Sequence, residues 1–167
     1  MTGPELAQDI ARSVAIGIGA TAVMDAWLLI LKQLGVPTLD FALIGRWVAH
    51  LRRGTFAHAA IAKAAPAKGE LALGWAAHYA VGIAFAGLTV AIGGTGWARD
   101  PSLLPALAVG VATVLVPLFV MQPAMGAGFA SSRTPTPARN CARSVANHAV
   151  FGLGLYLAAA LIASIAR

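Results

Sequence analysis

The chain has 167 residues, of which 59% are hydrophobic and 11% charged, with a net charge of +6. Soluble domains average about 45–50% apolar and about 25% charged residues, so this composition excludes an ordinary water-soluble globule. A single cysteine, Cys141, excludes an internal disulfide and a multi-cysteine metal centre.

A membrane-spanning helix needs about 20 mostly apolar residues to cross about 30 Å of hydrocarbon. Four stretches meet that requirement, at about 13–32, 71–93, 103–123 and 145–165. All charged residues except Asp25 and Lys32 fall outside them. The first nine residues are acidic rather than basic and lead into a full-length apolar stretch. They lack the positive start and short apolar run of a signal peptide, so the first helix reads as retained. The expected architecture is all-α: a polytopic membrane bundle of four transmembrane helices forming a single domain over 1–167.

Between the first and second spans, Phe41, Ile44, Trp47, Val48 and Leu51 recur at three- and four-residue spacing. Arg46, His50 and Arg53 lie on the other side, Asp40 can cap the start and Gly54 follows the end. This pattern predicts a short interfacial amphipathic helix over about 40–53. Arg46, Trp47, Arg52 and Arg53 would then meet the lipid surface, with the basic groups towards headgroups. His50 and His58 flank the basic loop and read as solvated. The stretch 131–137, with two prolines, reads as a plain turn-rich connector.

Lys32, Arg46, Arg52, Arg53, Lys63, Lys68, Arg133, Arg139 and Arg143 belong to the first and third loops. Arg12, Arg99 and Arg167 belong to the opposite side. The positive-inside rule therefore places those two loops in the cytoplasm and both termini in the periplasm, although Arg12 pulls the other way. Because the basic excess is confined to loops between apolar stretches, it points to a lipid bilayer and not to nucleic acid.

Asp25 is the polar residue that most needs a reason. An aspartate at mid-span costs roughly 2.5–3.5 kcal/mol to insert, against about 0.3–0.6 kcal/mol gained per leucine. It shares a helix face with Ser13, Gly17 and Thr21, a small-and-polar stripe suited to the bundle interior. The second span carries Gly74, His78 and Gly82 at the same spacing, and the fourth carries Ser144, His148, Gly152 and Tyr156. The third ends in Met-Gln-Pro-Ala-Met-Gly at 121–126, after Pro117, which frees the carbonyl of Thr113. At about 1.5 Å per residue, Asp25, His78, Gln122 and His148 all fall in the half of the bilayer bordering the long loops. The expectation is an intramembrane polar cluster of these four residues.

Such a cluster admits several chemistries. It could be a hydrogen-bonded network that only fixes helix packing, since intramembrane polar pairs average about 0.6 kcal/mol. It could bind a metal ion through Asp25, His78 and His148 with Met24, Met121 or Met125 nearby. It could relay protons coupled to transport through Asp25 and a histidine. Haem, which needs two imidazoles opposed across an iron, is disfavoured. No phosphate-binding loop or dinucleotide fingerprint is present, and no nucleophile arrangement marks an enzyme. Gly17-Ile-Gly19 and Gly152-Leu-Gly154 lie inside helices and read as packing surfaces.

Several strings occur together: Gly-Ala-Thr-Ala-Val-Met-Asp-Ala-Trp at 19–27, Pro-Thr-Leu-Asp-Phe at 37–41, Gly-Arg-Trp at 45–47 and Gly-Trp-Ala-Ala-His-Tyr at 74–79. Met-Gln-Pro-Ala-Met-Gly at 121–126, Ser-Arg-Thr-Pro at 132–135 and Phe-Gly-Leu-Gly-Leu-Tyr at 151–156 complete the set. In these the chain resembles a bacterial inner-membrane family known as domain of unknown function 2938. The resemblance implies a small four-helix bacterial membrane protein and brings no reaction, ligand or catalytic residue. The leading expectation is binding or transport of a small solute, proton or metal ion at the cluster. The alternative is an accessory or assembly subunit of a larger membrane complex, or a homo-oligomer, with a purely structural cluster.

Overall fold

The computed structural model describes residues 3–166, and all regular structure among them is helical. Helix α1 covers Gly3–Gln33, α2 Phe41–Leu51, α3 Glu70–Arg99, α4 Leu103–Ala112, α5 the single turn Gln122–Ala124, and α6 Pro137–Ile165. Four segments are long and apolar enough to cross a membrane: Leu6–Gln33, Glu70–Arg99, Leu103–Ala124 and Pro137–Ile165. Their most apolar windows are only 28%, 17%, 33% and 33% buried inside the protein. Side chains such as Ile92, Leu104, Leu115 and Leu161 therefore make an exposed apolar exterior. Water would penalise that exterior at about 25 cal/mol per Å², and hydrocarbon would not.

The helices overrun the apolar stretches for local reasons. Helix α1 begins well before residue 13 because its polar first turns find partners. Ser13 donates to the Asp9 carbonyl at 2.8 Å, Arg12 donates to the Ala98 carbonyl at 3.3 Å, and Arg99 lies 3.8 Å from the Asp9 carboxylate. Helix α3 reaches Arg99, but its regular part ends at Gly94, where φ is 75°. The third segment is not one regular helix. Helix α4 stops at Ala112, a π-helical turn occupies Pro117–Met121, and α5 completes the crossing. Pro117 opens that turn: it has no N–H to donate, and its ring crowds the preceding turn, so the helix widens. Helix α6 starts at Pro137, whose fixed φ suits a first helical position.

Contacts divide the chain into two compact units. The first comprises Met1–Val36, Tyr79–Thr113 and Asn147–Arg167. Its buried centre includes Ile16, Ala20, Ala86, Val90, Trp97, Phe151 and Leu155. Small residues set the helix spacing. A Cβ on Gly17 would lie 2.5 Å from the Ile83 Cα, and one on Gly154 would lie 2.8 Å from the Ala20 carbonyl oxygen. Gly110 of α4 rests on the backbone of Gly152 in α6. Such close approach lets backbones gain dispersion contacts, the main force joining helices in lipid.

The second unit comprises Pro37–His78 and Val114–Ala146. Here α2 begins as expected, with the Asp40 carboxylate accepting the Ala42 N–H at 2.9 Å. Gly45 and Gly74 bring α2 and the start of α3 into backbone contact, with Gly45 against the Glu70 carbonyl and Gly74 against that of Phe41. The segment after α2 is tied down by two backbone bonds, from His58 N–H to Ala124 O at 2.8 Å and from Ile61 N–H to Met125 O at 3.0 Å.

Candidate functional site

In the first unit the small-and-polar stripe of α1 packs on α3, since Thr21 Oγ1 fills the space where a Gly82 side chain would stand. The same hydroxyl donates to the Gly17 carbonyl at 2.7 Å, so its polarity is satisfied within α1. One turn further along α1 is Asp25, and three residues before Gly82 on α3 is Tyr79. The Tyr79 hydroxyl donates to Asp25 Oδ2 at 2.8 Å. A carboxylate within an apolar segment is thereby held by a neutral donor. Met24, beside Asp25, packs against the apolar core.

His148 also belongs to the first unit. Thr113 Oγ1 lies 2.6 Å from the Gly110 carbonyl and 2.9 Å from His148 Nδ1. A carbonyl accepts only, so the threonine proton goes to Gly110 and His148 Nδ1 must donate to the hydroxyl oxygen. Neutral His148 therefore carries its proton on Nδ1 and keeps a lone pair on Nε2. Nearby, Trp27 Nε1 donates to Asn147 Oδ1 at 3.0 Å.

His78 and Gln122 belong to the second unit. The His78 ring lies 4.7 Å from that of Phe41 and 6.0 Å from that of Trp75. Gln122 accepts from Ser131 Oγ at 2.9 Å and directs Nε2 towards Ser144 Oγ at 3.5 Å. Ser131 is buried, and both it and Ala130 have positive φ, 60° and 47°. Cys141 donates its thiol to the Ala130 carbonyl at 3.1 Å, and Thr134 bonds the Ser131 carbonyl at 2.7 Å. The stretch 131–137 is therefore not a plain connector. It is a constrained loop whose left-handed residues are held by polar contacts on both sides.

The four expected cluster residues thus fall two and two: Asp25 and His148 in one unit, His78 and Gln122 in the other. Among the described residues no group of three or more His, Cys, Asp or Glu is placed to hold a metal ion. Asp25, His78 and His148, the ligands expected for a metal ion, therefore form no such group. Met121 lies in the π-helical turn, and Met125 caps α5.

Arg46 has a different environment from the lipid headgroups expected for it. Its guanidinium makes a two-point bond to Glu70, Nε to Oε2 at 2.9 Å and Nη2 to Oε1 at 2.8 Å. Its remaining nitrogen, Nη1, reaches the carbonyls of Ile61, Ala62 and Ala64 at 3.2–3.4 Å. The hydrogen bond to Glu70 raises the Arg46 pKa further above its ordinary value. Trp47 spends its indole N–H on the Phe56 carbonyl at 2.8 Å, while Arg52 and Arg53 are exposed.

His50 and His58 are not simply solvated. Both are half-buried, and they bond each other, His50 Nδ1 to His58 Nε2, at 2.8 Å. Neither the roles of Tyr79 and Glu70 nor the contact between the two histidines follows from the local sequence pattern. Only Tyr79 carried a signal: on a helix packed through Gly82, the residue three before it shares the contact face.

A family model described as a protein of unknown function (DUF2938) matches residues 14–162. No curated protein and no solved structure matches the chain.

Proposed function

The chain belongs to the DUF2938 family, whose description assigns no activity, and from its own residues we propose an integral membrane protein that binds or transports a small solute or ion. Asp25 is the group that responds to protons or cations. The observation that carries this reading is the Tyr79 hydroxyl on the Asp25 carboxylate at 2.8 Å, inside a segment apolar enough to span a membrane. Placing a carboxylate in hydrocarbon costs roughly 2.5–3.5 kcal/mol, and ionisable groups at such depth mark ion pathways and binding sites. Neutralisation by a proton or a cation removes most of the cost, so loading Asp25 changes the energy of its helix contact. The His148 Nε2 lone pair supplies a second acceptor within the same unit. On this reading the protein resides in a bacterial inner membrane with both termini periplasmic, as its lysines and arginines suggest.

The test is flux in liposomes holding the purified protein and a pH-sensitive dye, with imposed proton and alkali-cation gradients. Wild type dissipates one of these gradients, and Asp25→Asn does not. Equal rates for wild type, Asp25→Asn and empty liposomes would discard the reading.

A second reading is favoured by one observation. Helix α3 is the least covered of the four segments, its apolar window only 17% buried. An accessory subunit would present such a face to helices of a larger membrane complex, with its polar groups purely structural. Co-purification of other membrane proteins at fixed stoichiometry, lost when Ala91 or Ile92 is made bulkier or polar, supports this reading.

A further inference from the structure

Apart from Asp25 and its neighbours, the second unit holds two imidazoles that meet end to end. His50 Nδ1 and His58 Nε2 are 2.8 Å apart while the ring centroids are 5.0 Å apart, so the rings extend away from the contact and do not stack. One backbone carbonyl fixes the protons. Ala65 O lies 3.0 Å from His50 Nε2 and can only accept, so that nitrogen carries a proton. In the neutral pair His50 Nδ1 then accepts from His58 Nε2–H, which leaves a lone pair on His58 Nδ1. That nitrogen is buried and has no hydrogen-bond partner among the described residues.

We propose that His50 Nδ1 and His58 Nε2 form a two-coordinate site for a soft monovalent cation of the Cu(I) class. The line of the N–H···N bond is the line along which such an ion takes two donors, and only its length must change. Two bonds of about 2.0 Å span roughly 4 Å, so the rings part by about 1 Å. The movement falls on the segment carrying His58, which lies outside any helix. His50 needs no adjustment at its far side, because its Nε2–H already rests on a carbonyl, the outer contact that orients ligating imidazoles. On binding, the proton of His58 Nε2 moves to its Nδ1, so a neutral pair takes the ion without net proton release.

The surrounding charges select the valence. Arg46, one turn before His50 on α2, is matched by Glu70, whereas Arg52, Arg53 and Lys63 remain exposed and unmatched by any described ion pair. That residual positive field repels a divalent ion twice as strongly as a monovalent one.

The experiment titrates the full-length, detergent-purified Cys141→Ser protein, which lacks the thiol that would take Ag(I) ahead of imidazole. The titrants are Ag(I), a redox-inert stand-in for Cu(I), and separately Zn(II). This parent takes up one Ag(I) per chain and binds Zn(II) more weakly, and adding His50→Gln or His58→Gln weakens Ag(I) by at least about tenfold. Equal Ag(I) affinity in the parent and both variants overturns the assignment, and so does Zn(II) binding as tight as Ag(I). Where a variant does not fold, ¹⁵N spectra of wild-type imidazoles decide. Ag(I) must shift His50 Nδ1 and His58 Nε2 together, and resonances that stay in place, as for a pair that only shares a proton, overturn the site.

Discussion

Tyr79 places its hydroxyl 2.8 Å from the Asp25 carboxylate, joining α1 to α3 one turn from the contact of Thr21 with Gly82. The polar bond and the glycine contact support each other. The missing side chain at Gly82 lets the helices approach, and the approach brings the phenol within reach of the carboxylate.

Tyr79→Phe removes the donor and leaves the ring. The expected outcome is a stability loss of about 0.5–1.5 kcal/mol, read as a lower thermal midpoint in detergent. Any flux dependent on Asp25 slows in this variant, whereas Asp25→Asn abolishes it. A Tyr79→Phe protein with unchanged midpoint and unchanged flux would show that the bond carries neither role.

The bond between Arg46 and Glu70 has two-point geometry, which lysine cannot reproduce. Arg46→Lys is therefore expected to lower the thermal midpoint nearly as far as Arg46→Ala. In a double-mutant cycle with Glu70→Gln, the two losses sum to more than the loss in the double variant. Additive losses would mean that the pair does not act as a unit.

Gly45→Ala would drive a methyl group into the Glu70 carbonyl, whereas a Cβ on Gly87 meets nothing within 4 Å. Overpacking of this kind costs about 1–3 kcal/mol. The open helical glycine gains up to about 1 kcal/mol on becoming alanine. Thermal melts of the two variants should move in opposite directions, and a shared direction would contradict the close crossing at Gly45.

The loop after α5 offers a paired test at neighbouring residues. Ala130 has φ 47°, so Ala130→Gly relieves roughly 1 kcal/mol of left-handed strain. Ser131→Ala leaves Gln122 Oε1 without its 2.9 Å donor and costs about 1–3 kcal/mol. Urea or thermal unfolding should rank Ala130→Gly above wild type and Ser131→Ala below it.

The membrane class, the four apolar segments, and α2 with Asp40 at its start were legible in the sequence. Each depends on hydropathy, on helical spacing or on a cap two residues away, all of which are local to the chain. The stripe of Ser13, Gly17, Thr21 and Asp25 was legible for the same reason, because small residues four apart share one helix face whatever packs against it. The partners were not legible. Asp25 meets the Tyr79 hydroxyl because Gly82, three residues on, lets α3 seat on Thr21. Arg46 faces Glu70 and not lipid headgroups, because Gly45 and Gly74 allow α2 to lie against α3. His50 and His58 meet because the segment carrying His58 is pinned by backbone bonds to Ala124 and Met125, and Ser131 turns inward to donate to Gln122. The sequence by itself determined which segments leave water and where a charge becomes costly, since those follow from composition along one helix. Only the tertiary structure decided which side chain answers each charge, since that depends on helix rotation and on the path of the loops.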